Sequence, residues 1–195
     1  MNVKLVLDKR AVRRSFSAAS QTYDGLARLQ HRVCETLEGK IDASNLKEAR
    51  VLDVGCGTGF LTGKMMQLPV CNHLISLDIA LPMLNLTRNK YAFNKNLDYI
   101  CADAESIPMA NNSMDMVVSN LALQWCQNLE LVFTDIARVL KPDGRLWFST
   151  FGSQTLTELK FAWAKVDDYI HVNHFYNENE LRQLLESAGY QDIRL

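Results

Sequence analysis

Three glycines at alternate positions, Gly55, Gly57 and Gly59, follow the apolar run Val51–Val54, which contains Asp53. A strand that ends in such a loop and leads into a helix presents backbone, rather than side chains, to a ligand at its carboxyl end. Glycine suits the loop because it adopts unusual backbone angles and has no Cβ to keep a ligand away. The pattern predicts a nucleotide-type binding loop.

The residue after the third glycine separates this loop from two alternatives. A dinucleotide-binding loop has Gly or Ala where Phe60 stands, and a phosphate-binding loop needs a Gly-Lys-Ser/Thr that does not follow here. Asp53 would repel a pyrophosphate and attract an ammonium or sulfonium group. The loop therefore favours S-adenosylmethionine over NAD or a nucleoside triphosphate.

Two further acids stand where the next predicted strands end. Asp78 comes about 20 residues after the loop, where a carboxylate accepts hydrogen bonds from both ribose hydroxyls. Asp103 is placed to accept from an adenine amino group, while Ile79 and Met83 are expected to pack on the ring. One such acid is most often an ordinary surface residue. Three acids at successive strand ends predict an adenosyl pocket.

The elements that position these residues alternate between short β-rich apolar runs and helical stretches. This alternation predicts an α/β, Rossmann-like fold with a mostly parallel sheet and helices on both faces. The predicted strands are 50–54, 74–78, 97–101, 114–119 and 144–150, with a sixth starting at Tyr190, and the helices are 59–68, 81–93, 128–140, 156–170 and 177–188. Residues 141–144, Lys-Pro-Asp-Gly, are expected to end a helix and turn into the fifth strand.

Two more helices, 9–20 and 22–38, are predicted ahead of this core and are expected to pack over one edge of the sheet as a lid. We predict a single domain over 1–195, with the helical lid at 1–40 and the Rossmann-like core at 41–195.

Composition excludes several classes of protein. A net charge of −1 argues against a protein that coats nucleic acid, and no run approaches roughly 18 apolar residues, so we expect a cytoplasmic protein without a membrane segment. Five widely spaced cysteines indicate reduced thiols. His171 and His174 have no third ligand nearby in sequence, so no metal is predicted. Residues 1–32 carry a net +5 against −6 elsewhere, which either steers an acidic partner or is a solvated helix surface.

These residues together resemble the class I S-adenosylmethionine-dependent methyltransferases, which share the Asp-x-Gly-x-Gly-x-Gly loop, the acid ending the second strand and an Asp-Ala pair, here Asp103-Ala104, ending the third. The segment 119–126, Ser-Asn-Leu-Ala-Leu-Gln-Trp-Cys, is further similar to the malonyl-acyl-carrier-protein O-methyltransferases of biotin synthesis. Supporting positions are Phe16, Tyr23-Asp24, Leu29-Gln30, Thr155-Leu156 and Glu158-Leu159.

The resemblance implies methyl transfer to the free carboxylate of a malonyl thioester on acyl carrier protein or coenzyme A. Such a carboxylate is already ionised at neutral pH, so no general base is predicted. It also implies that Asn120 and Leu121 lie under the sulfonium and that Tyr23 approaches the methionine part of the cofactor from the lid. The residues implied for positioning the acyl substrate are Phe16, Gln124, Trp125 and His174. Trp125 packing in the core, and Tyr23 packing only within the lid, are the alternatives.

Members of this family usually continue beyond the sixth strand to a final hairpin strand, so the C-terminal strand is expected to be missing from this chain. Two other functions remain open. One is a methyltransferase that acts on another small molecule, such as a quinone precursor, and the other is a non-catalytic S-adenosylmethionine-binding assembly factor.

Overall fold

A computed structural model describes residues 7–167 and 172–195. The sheet comprises β1 (Ala49–Val54), β2 (Cys71–Asp78), β3 (Leu97–Cys101), β4 (Met114–Asn120) and β5 (Leu140–Ser149). The α-helices of these ranges are α1 (Lys9–Ala19), α2 (Tyr23–Leu26), α3 (Arg28–Glu38), α4 (Phe60–Met65), α5 (Leu81–Lys90), α6 (Leu129–Val139), α7 (Thr157–Trp163) and α8 (Glu178–Ser187), and a short 3-10 helix covers Leu123–Trp125. None of them is long and apolar enough to cross a membrane.

The sheet is parallel throughout, and its strand order is β3-β2-β1-β4-β5. The order reverses between β1 and β4, which leaves a crevice at the carboxyl ends of these two central strands. The predicted Rossmann-like sheet and its five strands are confirmed.

Successive side chains along each strand point to opposite faces of the sheet, so the core consists of two clusters, one on each face. Leu52 and Val54 of β1 pack on one face with Phe133 of α6 and Leu185 of α8. Val51 lies on the opposite face, with Met65 of α4 and Cys34 of α3. Both faces are therefore covered by helices, as a parallel sheet requires.

Local signals explain where the helices begin. Asn128 caps α6 by accepting hydrogen bonds from the amides of Glu130 and Leu131. Asn177 and Glu180 form a capping box at the start of α8. The first residues of α6 and α8 agree with the predicted boundaries to within one or two residues.

Several predicted boundaries differ in the structure, and two of the differences change an element. The helix predicted at 22–38 is interrupted at Ala27, whose backbone (φ −82°, ψ 31°) is not helical, so that α2 and α3 are separate. The segment 141–144 is part of β5 rather than a turn before it, and the register with β4 shifts there. Asp143, at φ +65°, provides the bend.

The prediction of a sixth strand from Tyr190 is wrong, because residues 190–195 form no strand. Asp192 has a φ of +52°, which an extended strand does not allow. The Tyr190 hydroxyl donates to the Phe133 carbonyl oxygen (3.2 Å), and Arg182 donates to the carbonyl of Ile193 (3.1 Å). The segment thus packs against α6 and α8 instead of pairing with β5.

Candidate active site

A cleft, or open cavity, with about 760 Å³ of empty space, open solvent included, lies at the carboxyl ends of the central strands and beneath α1. The predicted residues that line it are Phe16, Tyr23, Gly55, Gly57, Asp78, Ile79, Met83, Asp103, Ala104, Asn120, Leu121 and Trp125. The structure therefore brings most of the predicted site together in one place.

The glycine loop has left-handed backbone angles at all three glycines, with φ between +56° and +84°. A Cβ at Gly55 would lie 2.3 Å from the Cβ of Ala122, so this glycine allows the loop to pack against the end of β4. A Cβ at Gly57 would meet no protein atom within 4 Å, and Gly57 lines the cavity. The absence of a side chain at Gly57 therefore leaves room for a ligand.

Asp78 connects this loop to the end of β2. Its Oδ2 accepts a hydrogen bond from the Gly57 amide and its Oδ1 accepts one from the Ala80 amide, both at 2.8 Å. Burial raises the pKa of Asp78, while the two backbone hydrogen bonds oppose that rise. The carboxylate is held in one orientation at the cavity wall, where its remaining lone pairs can accept from hydroxyl groups.

Asp53 is only 1% exposed and does not line the cavity. The Thr62 hydroxyl donates to its Oδ2 (2.7 Å) and lies 3.0 Å from the hydroxyl of Ser76. Burial raises the pKa of Asp53 to about 7; the hydrogen bond from Thr62 opposes this rise and the charge of Asp78 adds to it. Asp53 therefore stabilises the junction between β1 and the glycine loop from the protein interior and is not positioned to contact a ligand in the cavity.

Lys9 was not foreseen as a site residue, yet it lines the cavity beside Asp103. Its Nζ lies 2.6 Å from Asp103 Oδ2 and 2.8 Å from Glu105 Oε2. Lys9, Val12 and Phe16 are spaced three and four residues apart, so they share one face of α1, and all three line the cavity. This spacing is the sequence signal that could have identified Lys9 as a cavity residue.

Contact between Asp103 and an adenine ring stays a prediction.

Three aromatic rings form one side of the cavity. The Phe16 ring centroid lies 6.2 Å from that of Tyr23 and 5.5 Å from that of Trp125. Trp125 is 37% exposed, so it lies at the surface of the cavity and not in the core. Burial, followed by the charges of Asp78 and Asp24, raises the pKa of Tyr23, which keeps its phenol neutral.

Asn120 joins three elements at the bottom of the cavity. Its Nδ2 donates to the Gln30 carbonyl oxygen in α3 (3.0 Å), and its Oδ1 accepts from the Ser149 hydroxyl in β5 (2.8 Å). Leu121 follows with φ +46°, and its amide donates to Ser149. Asn120 is thus held rigidly, and it attaches the lid to the sheet.

Three further predicted residues lie outside the cavity lining, as Asp53 does. The Gln124 amide donates to the Leu121 carbonyl (2.6 Å) and accepts from Thr150, so its polar groups are used within the protein. His174 is exposed and lies beside Tyr176 and Glu180. Gly59 packs against Thr87 and Tyr91.

His171 lies outside the described residues. In the part of the chain that is described, no cluster of three or more His, Cys, Asp or Glu side chains is placed to hold a metal ion.

Comparison with known proteins adds several similarities in sequence. A family model described as "Methyltransferase domain" matches residues 52–148. The malonyl-[acyl-carrier protein] O-methyltransferase of Methylococcus capsulatus is 42% identical, over 96% of this chain and 68% of the relative. That of Gallionella capsiferriformans is 39% identical, over 97% and 67%. The biotin biosynthesis bifunctional protein BioHC of Cellvibrio japonicus is 42% identical, over 95% of this chain and 36% of its own length.

Solved structures resemble the fold. A Haloferax volcanii methyltransferase in complex with the Trm112 activator has a TM-score of 0.75 at 19% identity, covering 89% of this chain and 75% of that one. An S-adenosylmethionine-dependent methyltransferase from Aquifex aeolicus has a TM-score of 0.67 at 19% identity, covering 91% and 90%. The chain thus spans about two thirds of the single-function relatives and most of the Aquifex structure.

Proposed function

Since this chain belongs to the malonyl-[acyl-carrier protein] O-methyltransferase family of S-adenosylmethionine-dependent enzymes, we propose that it methylates the free carboxylate of a malonyl thioester. The observation that carries this choice of acceptor is the 42% identity to a relative of that name over 96% of the chain. Masking this carboxylate would let a fatty-acid elongation system extend the chain for biotin synthesis, as the family resemblance implies.

The cavity fits S-adenosylmethionine by the chemistry of its lining. When bound, this cofactor supplies a methyl group on a sulfonium centre. Gly57 leaves open space at the loop, and Asp78 presents fixed acceptor oxygens suited to ribose hydroxyls. Ile79 and Met83 supply apolar surface for adenine. Lys9 on the wall is paired with Asp103, and the carboxylate of Asp78 favours a ligand with cationic groups.

Positioning and the exclusion of water are what these residues contribute to the reaction. The attacking carboxylate needs no base, because it is already ionised at neutral pH. Phe16, Tyr23 and Trp125 provide apolar walls, and Asn120 is held in place by α3 and β5. Correct orientation of two reactants lowers a barrier by about 7–11 kcal/mol in favourable cases.

The outer face of α1 supports an acyl carrier protein as the bearer of the malonyl group. Arg10, Arg13 and Arg14 are exposed on this face, and Lys9 and Phe16 of the same helix line the cavity. A basic surface beside a site attracts an acidic partner and raises its rate of encounter. Acyl carrier proteins are acidic, and coenzyme A is the other anionic bearer to be compared.

An assay of malonyl methyl ester formation tests the proposal. The chain is incubated with S-adenosylmethionine and either malonyl-acyl carrier protein or malonyl-CoA, and the ester is measured by mass spectrometry. We expect ester formation, faster with the carrier protein. If S-adenosylhomocysteine binds and neither thioester is methylated, the acceptor is a different molecule or the chain is a binding subunit. Binding of NADH without S-adenosylhomocysteine would contradict the cofactor assignment.

A further inference from the structure

Asp24 joins the lid to the glycine loop through a set of three contacts. The hydroxyl of Thr58 donates to Asp24 Oδ1. The Nζ of Lys90 lies 3.1 Å from Asp24 Oδ2 and also donates to the Thr58 carbonyl oxygen at 2.8 Å. A carboxylate of the lid, a hydroxyl of the loop and an ammonium at the end of α5 therefore hold one another.

Apolar packing holds this part of the lid only in part, because the Phe16 ring packs against Trp125 but neither α1 nor α2 has a buried side chain. Polar contacts lie at both ends of the α1–α2 segment. Lys9 contacts Asp103 and Glu105 at one end, and Asp24 contacts Thr58 and Lys90 at the other. The cavity lies between these two attachments.

The charge of Asp24 suits this attachment. Burial acts to raise the pKa of Asp24, but hydrogen bonds from Thr58 and Lys90, together with the charge of Lys90, outweigh it and leave the pKa below its usual value. Hydrogen bonds to a charged group are stronger than those between neutral groups. The ionised carboxylate is therefore the form that holds the lid.

Asp24 and its partner Thr58 each directly follow a residue that lines the cavity. Tyr23, directly before Asp24, lines the cavity from the lid. Thr58 directly follows Gly57, which lines the cavity from the loop and donates its amide to Asp78. One carboxylate thus connects the loop to the segment that carries Tyr23.

We propose that Asp24 is a positioning residue that holds the lid, and with it Tyr23, on the glycine loop, so that cofactor binding and lid closure stabilise each other. The coupling is reciprocal: a ligand that orders the loop also orders the lid, and loss of the contact weakens the ligand. The inference rests on the proposed function only for the identity of the cofactor.

The test compares the wild type with D24A, D24N and K90M by calorimetric titration with S-adenosylhomocysteine. Hydrogen exchange of residues 8–26 is measured with and without this ligand. D24A is expected to bind about tenfold more weakly, the loss that follows from removing a hydrogen bond to a charged group. It should also lose the ligand-induced protection of residues 8–26. D24N retains an acceptor for Thr58, and K90M leaves the carboxylate, so both should show smaller losses of the same sign.

K64M is the control, because Lys64 joins α4 to α3 through an ion pair with Glu38 (2.9 Å) and does not line the cavity. It should change neither affinity nor protection. The proposal is overturned if both D24A and K90M bind the ligand as the wild type does and keep the protection, or if K64M loses both. D24N, which leaves the Lys90–Thr58 bond in place, decides the question if D24A fails to fold. Neither readout needs a methyl acceptor, so failure of the malonyl assay would leave this result intact.

Discussion

Asp53 and Asp78 show how the direction of a side chain decides the role of a buried carboxylate. Both lie near the glycine loop, and both have their pKa raised by burial. Asp78 accepts from the amides of Gly57 in the loop and of Ala80 before α5, and it lines the cavity. Asp53 is directed to the opposite side, toward Thr62 and Ser76. Asp78 therefore faces the cavity, where ligand binding is proposed, and Asp53 supports the loop.

Replacement of Asp78 by Ala should abolish detectable binding of S-adenosylhomocysteine. The variant removes the proposed ribose acceptor and also frees the amides of Gly57 and Ala80, so we expect at least a hundredfold weaker binding, or about 2.7 kcal/mol. Calorimetric titration measures the loss. H73A is the control, because His73 lies on the same strand at its amino-terminal part and pairs with Asp98. Unchanged affinity in D78A would contradict the assignment.

Replacement of Asp53 by Asn should change how stability depends on pH. With a folded-state pKa near 7 and an unfolded value near 3.9, Asp53 is protonated in the folded protein and ionised in the unfolded one between these values. Stability of the wild type therefore falls as pH rises through this window. The free energy of unfolding of D53N relative to wild type should rise with a slope of up to about 1.4 kcal/mol per pH unit below pH 7 and level above it.

Urea unfolding of the two proteins at several values between pH 5 and pH 8 measures this difference. A difference that stays constant across the range would mean that Asp53 is ionised in the folded protein throughout.

At the scale of elements, the glycine loop depends on α5 for its shape. The Thr87 hydroxyl donates to the Gly57 carbonyl (2.8 Å), and the Tyr91 hydroxyl just after α5 donates to that of Gly59 (3.0 Å). Lys90 adds a bond to Thr58. Three carbonyl groups of the loop thus accept hydrogen bonds from α5 and the residue after it, while the Gly57 amide donates to Asp78.

Alanine at Gly57 and at Gly55 should separate binding from folding. Both substitutions strain a left-handed backbone, at a cost of about 1 kcal/mol. In G57A the new Cβ meets no protein atom but occupies ligand space, so binding of S-adenosylhomocysteine should fall strongly with a small loss of stability. In G55A the Cβ would clash with Ala122, so the melting temperature should fall by several degrees more than in G57A. Equal melting temperatures would contradict this division.

At the scale of the whole molecule, α1 separates two kinds of surface. Its inner residues line the cavity with Asp78 and Asp103, and its outer residues are the exposed arginines. A net charge of −1 hides this arrangement, because the positive excess is confined to residues 1–32. The distribution suits a cationic cofactor inside and an anionic partner outside.

Reversal of charge on α1 should slow the reaction with the carrier-bound substrate. R13E/R14E is expected to lower kcat/KM about tenfold at low salt, with the difference shrinking as ionic strength rises. K47E/R50E is the control, because Lys47 and Arg50 are exposed at the amino-terminal end of β1, opposite the cavity. Turnover and salt dependence that match the wild type in R13E/R14E would remove the steering hypothesis.

The sequence by itself determined the fold and the adenosyl side of the cavity. The reason is that the signals are local: glycines after an apolar run, and acids at the ends of successive runs, are read within a few residues. Parallel strands bring their carboxyl ends to one edge, so Gly57, Asp78 and Asp103 meet without any further information.

Only the tertiary structure decided the features that depend on contacts between distant segments. Lys9 meets Asp103 across 94 residues, and Asp24 meets Thr58 across 34, which no local pattern indicates. Gln124 turns to Leu121 and Thr150 instead of the cavity because those groups complete its hydrogen bonds. The tail from Tyr190 follows α6 and α8 because burial and hydrogen bonding there replace strand pairing. The partners of polar groups depend on the tertiary structure, whereas apolar periodicity can be identified from the sequence alone.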